Sequence, residues 1–225
     1  MTSPRDLKPD CDRCLNKGHC LFQSLPPAVL SHIVELAHKP GDELEVQGDF
    51  WNTLGVIKVG QVKGSRANAL NKSKAVVFLG RGRPVGLGSA FGHRSQLTLV
   101  AITSVRVCCM DANLVRTLAM PDAEFRKALQ DTAGSFVNCL TDWSRVLRED
   151  EFALKLYYAL HLIATEGRSA SFTMPSHAEL ADLLGSRRET IGRHLTAMVG
   201  EGRLERRDRR HFVLVSDVAI PSSAG

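Results

Sequence analysis

Three cysteines fall within ten residues near the start of the sequence: Cys11, Cys14 and Cys20, with two and then five residues between them. Three thiols cannot close on themselves as disulfides, whereas thiolates suit a soft metal or an iron–sulfur cluster. A fourth thiolate would then be borrowed from elsewhere in the chain. Residues 1–10 are polar and lack the apolar stretch of a secretory signal. The six cysteines are therefore expected to be reduced and the protein cytoplasmic.

A second chemistry is carried by arginine. From Arg187 to Arg210 lie eight arginines and no lysine (Arg187, Arg188, Arg193, Arg203, Arg206, Arg207, Arg209 and Arg210). The net charge of +5 is mild, but this concentration is not. Planar guanidinium groups match phosphates and base edges, so double-stranded DNA or another nucleic acid is the expected partner. Enzyme signatures are missing: no glycine-rich phosphate loop opens a helix, and there is neither HExxH nor a nucleophile elbow.

These residues need a scaffold. With 225 residues and 44% hydrophobic content, the chain can bury two modest domains. No apolar run approaches the roughly 20 residues needed to span a bilayer, so no membrane partner is expected. After the arm, Leu25 to His38 reads as a short helix opening at Pro26-Pro27. From Gly41 to Met110, short β-rich runs punctuated by glycine predict an antiparallel roll or barrel. Met120-Pro121-Asp122 starts a long helix. On it Phe125, Leu129, Thr132, Phe136, Leu140, Trp143 and Leu147 recur at spacings of three and four, a coiled-coil-like seam that predicts a homodimer.

Leu154 to Ala164 reads as another apolar helix, followed by a break at Glu166-Gly167-Arg168-Ser169. Ser176 then caps a helix over His177–Leu184, Gly185 turns, and Arg187–Val199 forms a second helix. An alternating segment ending in Phe212-Val213-Leu214-Val215 completes the layout of a winged helix-turn-helix. Arg188, Glu189, Gly192 and Arg193 share the N-terminal face that such a motif inserts into the major groove. Arginine can bond guanine in a bidentate manner, glutamate can accept from cytosine, and Gly192 permits close approach. Arg206, Arg207, Arg209 and Arg210 are expected to contact phosphates from the wing.

The chain resembles the CRP/FNR superfamily of bacterial transcription regulators. The hexapeptide Arg188–Arg193 (RETIGR) differs by one aliphatic swap from the recognition motif of the cyclic-AMP receptor branch. GDELEVQGD and IKVGQVKG resemble the family's β-roll, MPDAEF the start of its dimerisation helix, and ELADLLGSRRETIGRHL its DNA-binding unit. The arm CDRCLNKGHC has the cysteine spacing of the oxygen-sensing FNR branch. The resemblance implies an α+β chain with an arm over residues 1–21 and a β-roll sensor over 22–117. A dimerisation helix over 118–149 and a winged helix-turn-helix over 150–225 follow. It further implies RNA polymerase as a partner, a homodimer, and a [4Fe-4S] cluster held by three arm cysteines and one from the roll.

Two lines of reading meet at the fourth cysteine. Val105 to Met110 reads as a strand, whose neighbours point to opposite faces. Val105, Val107 and Cys109 form the more apolar face, leaving Arg106 and Cys108 to meet the arm. The resemblance also puts the fourth ligand at Cys108, while Cys139 reads as a packed free thiol. Leu15 and His19 depart from the FNR pattern, and a histidine there can bond to or compete with cluster sulfur. Arg188, Glu189 and Arg193 match residues that read TGTGA half-sites in the cyclic-AMP receptor branch, while Gly192 replaces the FNR serine. Two rivals remain. Arg94-Ser95 matches the cyclic-nucleotide phosphate pair, although Leu87 stands where a ribose-binding glutamate is expected. A zinc-stabilised DNA-binding protein without a sensing role is the other.

Overall fold

The computed structural model describes residues 9–167 and 171–215. The first eight residues of the arm, Arg168 and Ser169 of the predicted break, and the last ten residues of the C-terminal region lie outside them. The chain divides into two units, Met1–Leu140 and Thr141–Gly225.

In the first unit a 3-10 turn at Leu21–Ser24 leads to α1 (Pro27–Leu30) and β1 (Val34–His38). There follow β2 (Glu43–Glu45), β3 (Thr53–Val59), β4 (Val62–Ala67), β5 (Ser73–Leu79) and β6 (Pro84–Val85). Then come α2 (Leu87–Ala90), β7 (Thr98–Ala101), β8 (Val105–Asp111), α3 (Ala112–Leu114) and a π turn over Val115–Ala119. The strands make two four-stranded antiparallel sheets, ordered β1-β8-β3-β6 and β2-β7-β4-β5. Gly60 enables the tight β3–β4 turn: its φ is +98°, and a Cβ there would stand 2.4 Å from the Ser104 carbonyl.

The helix expected over Leu25–His38 is corrected to the single turn α1. Val34–His38 instead pairs with β8, Val34 opposite Cys109 and Glu35 opposite Cys108. A short apolar run fits either period, and here the open edge of β8 decides. Residues on β8 alternate between two buried sides. Met110 and Cys108 pack with Phe22, Leu54, Phe125 and Leu129 in a core outside the roll. On the opposite face, a Cβ placed on Gly55 would meet Val107 and the Cys109 sulfur at 2.8 and 3.1 Å.

The long helix, α4, spans Ala123–Leu147, and Asp122 caps it by accepting from the Phe125 amide at 2.8 Å. It is not a separate body, because the division between the units falls after Leu140 within it. The predicted seam also needs correction. Phe125, Leu129 and Trp143 are at most 1% exposed within the single chain, the first two inside the core just described. Thr132, Phe136, Leu140 and Leu147 are half-buried, and Val137, outside the seam, is 60% exposed. The first turns of the helix are apolar because they cover the roll, which produces the same spacing as a dimer seam.

The second unit contains α5 (Phe152–Gly167), β9 (Phe172–Thr173), α6 (His177–Leu184), α7 (Arg188–Gly200), β10 (Leu204–Arg206) and β11 (His211–Leu214). Its antiparallel sheet has the order β10-β11-β9. The predicted Ser176 cap is a full capping box: its hydroxyl accepts from the Glu179 amide, and the Glu179 carboxylate accepts from the Ser176 amide. Gly185, with φ +64°, ends α6 and turns the chain into α7. Leu180, Leu184, Ile191, Leu195, Met198 and Leu204 are buried, as a helix-turn-helix with a wing requires.

Candidate functional site

Cys11, Cys14, Cys20 and Cys108 line one small pocket, together with Asn16, Phe22, Ile33, Val56 and Lys58. Cys108 reaches it from β8, and the other three thiols come from the arm. Asn16 anchors the arm to β3, its Nδ2 donating to the Ile57 carbonyl at 3.0 Å, while its buried Oδ1 has no partner. Leu15 and His19 are solvent-exposed and do not line the pocket. Cys109 and Cys139 are buried elsewhere.

Four thiols facing one apolar space form a donor set for a soft metal or an iron–sulfur cluster. They are not drawn together: among the described residues, no three His, Cys, Asp or Glu side chains are close enough to hold a metal ion. The pocket volume is about 20 Å³, near the roughly 10–15 Å³ that one water needs. The donor chemistry fits a cluster, while the space now enclosed between the thiols is about that of one water. Burial pushes Cys20 up to about 11 and Cys108 up to about 12, and neighbouring thiols add to both shifts. The Lys58 ammonium opposes the shift at Cys108. At neutral pH these thiols are therefore protonated unless a cation takes the place of their protons.

Lys58, Glu35 and Asn16 were not singled out in the sequence. The signal for Lys58 was a lysine inside the apolar run Val56–Val59. It sits at a bulge: Ile57 pairs with Val107 and Val59 with Arg106, leaving Lys58 as the extra residue.

A larger cavity of about 700 Å³ lies on the roll, lined by Glu45, Phe50, Arg66, Leu87, Arg94, Ser95, Phe136 and Leu140 among others. The Ser95 hydroxyl donates to the buried Glu45 carboxylate, which also accepts from the Gly86 amide at 2.9 Å. Arg94 donates to the Gly48 carbonyl at 2.7 Å and lies over the Phe50 ring. Desolvation raises the Glu45 pKa above its ordinary value, against the pull of both donors.

In the second unit Arg188, Glu189 and Arg193 project from α7 as exposed side chains, while Ile191, Leu195 and Met198 face inward. A Cβ on Gly192 would meet only the His177 ring, at 3.5 Å, an ordinary contact. Nothing in the fold therefore demands glycine there. In the wing, Arg207 pairs with Glu205 at 2.9 Å, and Arg206 Nε donates to the Asp208 carbonyl at 2.9 Å. Asp208 folds the tip by accepting from the Arg210 and His211 amides. Arg209 and Arg210 are exposed on that tip.

Residues 35–122 match the cyclic nucleotide-binding domain, and residues 155–219 match the Crp-like helix-turn-helix domain. With this pair of domains in this order, the chain belongs to the CRP/FNR family of regulators. It is similar to a probable transcriptional activator of Rhizobium leguminosarum, 30% identical over 58% of this chain. That match spans 57% of the relative's length. It is also 27% identical to the cyclic AMP receptor protein of Thermus thermophilus, over 83% of this chain and 88% of that one. Its fold resembles that of FixK2 from Bradyrhizobium japonicum, with a TM-score of 0.71 at 18% identity, covering 82% and 93% of the two chains. No described helix is long and apolar enough to cross a membrane.

Proposed function

We propose that this protein is a cytoplasmic transcription regulator that binds palindromic DNA as a homodimer, engages RNA polymerase, and senses oxygen or redox state. The sensing group is a [4Fe-4S] cluster held by Cys11, Cys14, Cys20 and Cys108. The convergence of these four thiols on one pocket carries the reading. When bound, the cluster supplies an oxygen-labile redox centre. The arm residues bind it, Phe22 and Val56 limit water, and Asn16 ties the arm to β3. Occupancy of the pocket shifts a population between monomer and dimer, because arm and α4 share one core.

On the dimer, two α7 helices about one DNA turn apart read a palindrome of TGTGA-like half-sites through Arg188, Glu189 and Arg193. The cyclic-nucleotide alternative draws support from the Thermus relative. Against it, Ser95 is engaged by Glu45, whose carboxylate repels a phosphate, and Leu87 offers no hydrogen bond to a ribose.

Anaerobic reconstitution with iron and sulfide tests the reading. A brown protein containing both elements, with more dimer before air exposure than after it, supports it. Colourless protein with stoichiometric zinc overturns it. Selection of DNA sites by the reduced protein tests the half-site, and recovery of TTGAT would overturn that part.

A further inference from the structure

We infer that Lys58 is a positioning residue for charge at the thiol pocket: its ammonium, steadied by Glu35, favours the reduced form of a bound iron–sulfur cluster and slows its loss in air. The inference rests on the cluster reading above. Glu35 on β1 lies directly opposite Cys108 on β8, so the two side chains share a face. Arg106, two residues before Cys108, shares it as well. Lys58 reaches that face from the bulge in β3, a feature that re-aims a side chain. Its Nζ lies 2.5 Å from Glu35 Oε2, and the lysine also lines the thiol pocket.

The pairing is buried, with only 12% of the Lys58 side chain and 3% of the Glu35 side chain exposed. Arg106 Nη1 stands 3.0 Å from Glu35 Oε1, an ion pair without hydrogen-bond alignment, and its side chain is 48% exposed. The carboxylate is thus shared by two cations, only one of which lines the pocket. An isolated buried ammonium is costly, and Glu35 offsets that cost while keeping the charge at the wall. A cubane held by four thiolates is net negative and becomes more so on reduction. A cation at the wall therefore favours the reduced form and opposes transfer of an electron from the cluster to dioxygen.

The test uses the full-length protein reconstituted anaerobically, with three variants: Lys58→Gln, Lys58→Arg and Glu35→Gln. The midpoint potential is measured by redox titration, and cluster decay in air by visible absorption. Lys58→Gln should lower the potential and speed decay several-fold, while Lys58→Arg should restore both. Glu35→Gln takes away the partner that holds the ammonium at the wall, so it should shift both in the same direction as Lys58→Gln, by less. A purely structural role would speed decay in all three variants by loosening the sheet, with no recovery in Lys58→Arg, and that result overturns the inference. Unchanged potentials overturn it too, with the cluster reading intact. Wild-type protein that assembles no cluster overturns both readings.

Discussion

The Ile57 carbonyl accepts two hydrogen bonds, from Asn16 Nδ2 at 3.0 Å and from the Gly82 amide at 2.8 Å. One backbone oxygen in β3 therefore holds both the cysteine arm and a loop of the roll. Asn16→Ala leaves that oxygen with Gly82, so the folding cost should be modest, about 0.5–1.5 kcal/mol. The arm should loosen more than this suggests, because its tether to β3 is gone. Cys14 and Cys20 in metal-free protein should then react faster with a thiol reagent, as peptide mapping of the labelled protein would show.

Cys108→Ser should abolish cluster assembly, while Cys109→Ser and Cys139→Ser retain it, because only Cys108 shares the pocket with the arm thiols. Iron and sulfide content after anaerobic reconstitution checks this. A cluster-free Cys109→Ser variant would show that the ligand comes from the other face of β8.

Much of this arrangement is legible in the sequence. Strand alternation separates Cys108 from Cys109, and the capping box at Ser176 and turn glycine at Gly185 locate α6 and α7. What alternation does not show is that both faces of β8 are buried. The pattern also hides β1, whose five residues form a strand only because a distant edge needs pairing. Phe125 and Leu129 illustrate another limit: an apolar stripe records that a helix face is covered, not by what. The Lys58–Glu35 pair and the Glu45–Ser95 pair join residues 23 and 50 positions apart, which no local pattern reveals.

On α4, burial separates folding from association. Phe125→Ala should destabilise the roll by about 3–5 kcal/mol, since the ring is fully buried. Val137→Glu, at an exposed position, should change folding by less than about 0.5 kcal/mol while weakening the dimer. Chemical denaturation and sedimentation measure the two quantities separately. A Val137→Glu protein that still dimerises with wild-type affinity would move the interface off this face.

In the wing, Arg209 and Arg210 should dominate binding to DNA of any sequence. Each replacement by alanine should reduce the salt slope by about 1. Arg207→Ala should matter less, because Glu205 already neutralises part of that charge. Arg188→Ala should instead cost roughly 1–3 kcal/mol on the preferred site and relax specificity at one base. Titrations at several salt concentrations, on matched and mutated sites, distinguish these behaviours.

Glu45 should give the roll a pH dependence of definite sign. Desolvation lifts its pKa above the ordinary 4.5, so the folded state holds the proton more tightly than the unfolded chain. Its contribution is fully present below pH 4.5 and declines as the pH rises through the folded value. Glu45→Gln should flatten that part of the stability profile, as denaturant titrations across the window would detect. A slope unchanged by the substitution would assign the titration to another group.

Both faces of β8 are packed at Cys108 and Cys109, and these adjacent cysteines open into different compartments. A one-residue slip of this strand would exchange them without altering composition, net charge or the number of thiols. Cys109 would then meet the arm, while Cys108 would enter the packed interior beside Gly55. Loss of a single residue from the turn before Val105 would therefore change which thiol joins the arm cysteines, rather than merely trim a loop. Which of the two thiols faces the arm is, in that sense, a property of the hydrogen-bond ladder joining β1, β8 and β3.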